Sequence, residues 1–462
     1  MPKTARFFGQ GSLVLENLYN GLGWTGNFAI RDSIYEKSFL QKVGYTGVGL
    51  WTRYSTLRIP PRVSRGFVPA DQGFEDHKQD DNFFEKRYRP YLDHFLDALV
   101  APRSRPFFVT GLYKYLHYPL MDRFNKDSGW DRFLTVEEKK RLQDLLAHAR
   151  EHPEKLPFLV MIADQAVLIR NHPLFPKFHS GGDDGDENVA LLGLINHPTL
   201  LRQWKESEGY SEDLIILKKV YRGNVAYLDE QIARTLSRLE TEGVLDKTIV
   251  VLTGDHGELH MEHDQLTHGT SWREAAMHVP TLVRYPGQKK TIRIKEQLSF
   301  FSLAEVLGRV MVEGFEPQNF ETSFQAEADP AIVGRDCKNV WRSLRVENRW
   351  KYVVEYKSGL PRLFDLKNDP EETENLADKN PSQVAKLESL YWQTLPKAFN
   401  QRRFWCDRWI GKNGNYSPEP SWRAQAEEGA AEGLEEEAGL EEEAETTPAD
   451  HNPYNKRKPE PR

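Results

Sequence analysis

The chain has 462 residues, 39% of them apolar and 28% charged, with only two cysteines, Cys337 and Cys406. Two cysteines cannot build a disulfide framework, and no stretch approaches the roughly twenty apolar residues of a membrane helix. The formal net charge of −7 belongs to residues 424–447: without their ten glutamates, 59 acidic residues face 62 basic ones, and no basic stripe with interleaved aromatics suggests nucleic acid.

The start, Met1-Pro2-Lys3-Thr4-Ala5-Arg6, is basic but lacks an apolar h-region, so no signal peptide is visible and a cytoplasmic location is expected. Residues 38–45 read as a helix ahead of a strand, and Arg105–Leu112 reads as a strand followed by His117-Tyr118-Pro119. The acidic loop Ser180–Glu187 lacks the regular ligand spacing of a calcium loop and reads as a solvated turn. Val225, Leu228, Ile232, Leu236 and Leu239 recur at helical spacing, with Gly243 placed to end the helix. The β-branched run Val250-Val251-Leu252 then reads as a buried strand, Gly254 as a turn, and Asp255-His256 as a carboxylate and imidazole at the strand's C-terminal end. Such a pair is a common way to hold a divalent cation over an α/β sheet. His260 and His263 fall in a polar stretch and are expected to face solvent. The Glu/Ala/Gly block and the prolines after it cannot bury enough apolar surface to fold.

These segments, in order, resemble the sulfatase family of the alkaline phosphatase superfamily. Thr253-Gly254-Asp255-His256-Gly257-Glu258, His268-Gly269 and the stretch Trp272–Gly287, with Glu274 and Val279-Pro280, carry the likeness most clearly. Tyr221–Ile232 is similar to the family's long helix, Arg105–Leu112 to its "kPFFl" strand, and Leu363–Ala377 to its "elYDL..DP.E..Nla" segment. The resemblance implies an α/β fold: a large, mostly parallel central sheet flanked by helices, with a small C-terminal antiparallel sheet. The expected division is an α/β body over 1–315 with an insertion near 120–215, an α+β unit over 316–400, and a tail over 401–462, acidic and disordered from about 424.

The resemblance also implies a chemistry. A divalent metal, most commonly calcium with Mn2+, Zn2+ and Mg2+ as alternatives, draws charge from a tetrahedral sulfate or phosphate ester. Asp255 and His256 take the metal-ligand positions, His117 contacts the substrate anion, and His268 takes the family's Lys/His position near the leaving group as a candidate general acid. Glu258 reads as support for the site or as an acidic helix start.

The family's paired aspartates and its Cys-x-Pro-x-Arg nucleophile are not found, and neither cysteine lies in such a motif. The family domain is therefore expected to be N-terminally incomplete here, leaving Thr4 as a stand-in nucleophile. Gly49-Leu50-Trp51-Thr52 also stands where the family commonly has Gly-Lys-Trp-His, and neither Leu50 nor Thr52 brings a cation. Three readings follow: a sulfate-ester hydrolase, a phosphate or phosphonate ester hydrolase or transferase of the same superfamily, and a non-catalytic sulfatase-like binding protein. Each takes a small sulfated or phosphorylated partner, and none fixes the oligomeric state.

Overall fold

A computed structural model describes residues 2–8, 12–19, 46–50, 67–69, 96, 100, 106–111, 116, 129–152, 157–163, 194–195, 197–268, 271–335, 341–355 and 358–401. His117, Cys337, Cys406, the helix expected over 38–45, the loop Ser180–Glu187 and the acidic tail lie outside the described residues.

In chain order the elements are α1 (Pro2–Phe8), β1 (Leu13–Tyr19), β2 (Thr46–Leu50), β3 (Phe67–Pro69) and β4 (Phe107–Gly111). Then come α2 (Val136–Glu151), α3 (Phe158–Ala163), α4 (Pro198–Lys205), α5 (Tyr210–Thr241), β5 (Val250–Thr253), β6 (Leu259–His260) and β7 (Leu266–Thr267). The rest are α6 (Glu274–Met277), β8 (His278–Arg284), β9 (Ile292–Ser299), α7 (Phe300–Glu313), α8 (Pro317–Ala326), β10 (Ala331–Arg335), β11 (Trp341–Val346), β12 (Trp350–Glu355), β13 (Pro361–Asp365) and α9 (Pro381–Gln401).

The fold is α/β. The sheet that carries the site is mixed, in the order β5-β8-β1-β9, with β1 parallel to β9 and β8 antiparallel to both β1 and β5. A second sheet, β3-β2-β4, is parallel throughout. Leu13, Leu15 and Leu18 of β1 are fully buried beside Val279, Val283, Ile294 and Leu298, and Phe320 and Phe324 of α8 pack into the same core. Burying each such side chain contributes about 1.5–3 kcal/mol.

Helix α5 has 32 residues, which at 1.5 Å per residue makes it about 48 Å long. Its buried positions Ile216, Leu217, Val220, Gly223 and Asn224, then Ile232, Leu236 and Leu239, follow the helical spacing of one apolar face. The helix ends as the sequence suggests. Gly243 lies just past the C-cap at φ +64, its amide donates to Glu240 O, and the Val244 amide reaches back to Leu239 O at 2.9 Å. That pair of bonds is a Schellman closure, and only glycine enters that backbone region without cost. Helix α2 begins on a reciprocal capping box between Thr135 and Glu138, and Glu138 also binds Lys219 of α5 at 2.7 Å.

The C-terminal sheet is a four-stranded antiparallel meander, β10-β11-β12-β13. Leu387 and Tyr391 of α9 cover Leu344, Tyr352 and Leu363 on one face of it. No described helix is long and apolar enough to cross a membrane.

Candidate active site

The site forms where β5 ends. Thr253 closes the strand, and Asp255, His256, Gly257 and Glu258 follow before the short hairpin β6–β7. Gly257 is required by contact. Its amide donates to Ala276 O of α6 at 2.9 Å, and a Cβ built on it would lie 1.8 Å from Ala275 O. The loop therefore lies directly on the backbone of α6.

The hairpin returns the chain to the same spot. Met261 and Leu266 are anchored in the helical core around Leu217 and Val220. Between His260 and His268, Met261, His263, Asp264 and Thr267 all adopt positive φ. For a β-branched residue such as Thr267, at φ +62 and 1% exposed, this is a strained backbone. The turn delivers His268 against His256, with ring centroids 3.8 Å apart.

The hydrogen bonds fix both rings. His256 Nδ1 faces Gly257 O at 2.9 Å, which puts the proton on Nδ1 and the lone pair on Nε2. That Nε2 is 3.6 Å from Asp255 Oδ2, and Asp255 is the most open of the four side chains at 32% exposed. His268 Nδ1 lies 2.9 Å from Glu258 Oε1, a carboxylate–imidazole pair of the kind that orients metal-binding and proton-transferring histidines. Ligand atoms of His256, Glu258 and His268 all lie within 4.8 Å of one another, as a shared cation requires. Burial, with His256 beside it, pushes His268 down to about 3 against a small upward pull from Asp255. It is a neutral imidazole at neutral pH.

Of the residues singled out by sequence, the structure brings together Asp255, His256, Glu258 and His268. Thr4 is held by the long helix α5. It is 2% exposed, its amide donates to Asp229 Oδ1 at 2.8 Å, and its hydroxyl donates to Asp229 O at 3.1 Å. In this way α1 is pinned to α5.

His260 corrects an expectation. It does not face solvent: it is 9% exposed and packs edge-on against Tyr221 at 4.4 Å, because β6 buries both its residues. Tyr221 is a neighbour that sequence reasoning did not place at the site. Burial, aided by the charge of Glu258, pushes its phenol up to about 12. Its signal was its place at the head of the helix motif.

The family profile described as Sulfatase matches residues 65–310. Arylsulfatase K of Bos taurus is 32% identical over 195 residues, covering 37% of this chain and 35% of that protein. Arylsulfatase K of Homo sapiens is 31% identical over 193 residues, with 37% and 35% covered. The matched part thus spans about a third of the length of these relatives.

Among solved structures, one in complex with its substrate D-glucosamine-2-N,6-O-disulfate superposes with a TM-score of 0.55 at 16% identity, covering 87% of this chain and 92% of that one. A phosphonate monoester hydrolase of Agrobacterium radiobacter gives a TM-score of 0.50 at 16% identity, with 87% and 90% covered. These two likenesses speak to fold. With the profile covering more than half of its length, the chain belongs to the sulfatase family.

Proposed function

We propose that this chain is a sulfuric-ester hydrolase whose substrate anion docks on a divalent cation held by Asp255 and His256. The observation that carries the reading is the convergence of His256, Glu258 and His268 beside Asp255. The residues fit a cation: His256 turns its lone-pair nitrogen toward the Asp255 carboxylate, and a buried Glu258 orients His268. Once bound, a cation there withdraws charge from the ester oxygens.

The resemblance implied calcium, which prefers six to eight oxygen donors. Two imidazoles and two carboxylates suit a borderline cation such as Zn2+ or Mn2+ better. A neutral His268 either accepts a proton from the attacking group or gives its lone pair to the cation; at neutral pH it is not a charged acid. His117 remains the candidate for contact with the substrate anion. The shared names of the matched relatives support an aryl sulfate as the first probe.

A second reading, binding without turnover, is favoured by Thr4. Its hydroxyl is committed to the Asp229 carbonyl, so it would have to break that bond to attack an ester. The two separate in one assay: hydrolysis of an aryl sulfate by the full chain with Zn2+, Mn2+ or Ca2+, beside an aryl phosphonate monoester. Hydrolysis that favours the sulfate and disappears in His256→Ala supports the first reading. Faster phosphonate cleavage, or metal-dependent binding with no turnover, sinks it.

A further inference from the structure

The segment Asp369-Pro370-Glu371-Glu372-Thr373-Glu374-Asn375 lies on the C-terminal sheet, far in sequence from the site, yet it reaches the site's foundation. Asp369 accepts the amides of Thr373 and Glu374 at 3.0 and 2.9 Å, and Asn375 Oδ1 accepts the Leu363 amide at 2.9 Å. This closed loop turns Glu372 inward, where it is 3% exposed at φ +56. Non-glycine residues hold such a backbone only where the surroundings impose it.

What imposes it is visible. Glu372 Oε2 accepts the Glu274 amide at 2.8 Å, Glu372 Oε1 lies 2.8 Å from Lys351 Nζ, and its carbonyl accepts Arg273 Nη1 at 3.0 Å. Glu274 opens α6, and the first amides of a helix have no acceptor within it. Glu372 therefore supplies the cap from 98 positions away. The Glu274 carboxylate is gripped in turn by Lys351 at 2.9 Å and Arg345 at 3.3 Å, from β12 and β11. Gly257, and with it the Asp255-His256 loop, rests on the Ala275 and Ala276 carbonyls of the same α6.

We propose that Glu372 is a positioning residue for the Asp255-His256 loop: by capping α6 and locking it, with Lys351, to the C-terminal sheet, it fixes the surface on which Gly257 rests. The C-terminal sheet is then a brace for the site as well as a cover for the core. Only the metal-affinity arm of the test rests on the proposed cation site.

The test is amide hydrogen exchange of the metal-free full chain, resolved at Gly257, together with Zn2+ affinity. Glu372→Ala is expected to speed Gly257 exchange at least tenfold and to weaken Zn2+ binding at least fivefold. Glu372→Gln keeps an acceptor oxygen for the Glu274 amide and is expected to restore most of the protection. Arg342→Met breaks the 2.9 Å pair with Glu388 between β11 and α9; it is expected to weaken the hold of α9 on the far side of the strand and leave Gly257 as in the wild type. Should Glu372→Ala fail to fold, Lys351→Met carries the same expectation. Wild-type exchange at Gly257 in a folded Glu372→Ala overturns the proposal, and so does equal acceleration by Arg342→Met. If the wild type binds no Zn2+, the metal reading falls alone and the exchange arm still decides.

Discussion

His256 and His268, twelve positions apart in the chain, stack with ring centroids 3.8 Å apart and an interplanar angle of 32°. The contact requires the tight left-handed turn between them, and it brings two imidazoles into a pocket where charging both is unfavourable. A cation sharing their lone pairs relieves that conflict; a proton does not.

The pH dependence of the metal-free protein follows. His268 is held at about 3 against an ordinary value of 6.5, so below pH 6.5 the unfolded chain takes up a proton that the folded chain refuses. Stability is then lost as pH falls from about 6.5 toward 3. Between pH 7 and 4.5 the loss from this group is about 2.5 kcal/mol at 1.36 kcal/mol per unit. Unfolding free energies from urea melts at the two pH values should differ less in His268→Gln by that amount.

Glu274 works at lower pH. Burial alone would raise its pKa, but Lys351 and Arg345 bring it down to about 2 from 4.5. Its contribution is present above pH 4.5 and is lost as pH falls through 2. Glu274→Gln strips the carboxylate from buried Arg345 and leaves Lys351 with Glu372; it is expected to cost about 3 kcal/mol at pH 7, with a flatter acid limb below pH 4.5. Denaturant melts across that range check both.

Two glycines on and beside α5 should respond in opposite measure. A Cβ on Gly223 meets Trp130 O at 2.1 Å, a backbone atom with little freedom to move, so Gly223→Ala is expected to cost about 3 kcal/mol. Gly243 has nothing within 4 Å of its Cβ position and only its φ of +64 to protect; Gly243→Ala is expected to cost about 1 kcal/mol. Chemical denaturation of the two variants decides.

Gly257→Ala should act at the site. Its Cβ overlaps the Ala275 carbonyl, so the loop must lift from α6. The variant is expected to keep its fold at a cost of about 1–3 kcal/mol and to bind divalent cations at least tenfold more weakly. Unchanged affinity would show that the loop's seat on α6 does not set the metal geometry.

The parts legible in the sequence were those whose cause is local. Val250–Thr253 followed by Gly254 and Asp255-His256 announced a strand end carrying a carboxylate and an imidazole, and Gly243 announced a helix end. His268 and Glu258 were named, but their pairing depends on four left-handed residues in the hairpin, none of them the glycine that would flag such a turn. His260 was misjudged because polar neighbours hid the fact that β6 folds both its residues inward against Tyr221. Glu372 was quoted within a motif with no role, since its target lies 98 positions away. Long-range polar networks of that kind leave no periodic trace in a single sequence.

The central claim, that Asp255 and His256 hold a divalent cation with His268 packed against them, is tested most directly by calorimetric titration of the metal-free full chain with Zn2+ and with Ca2+. A single site, tighter for Zn2+, lost in His256→Ala and weakened at least tenfold in His268→Ala, is the expected result. No binding by the wild type, or equal binding by all three proteins, would contradict it.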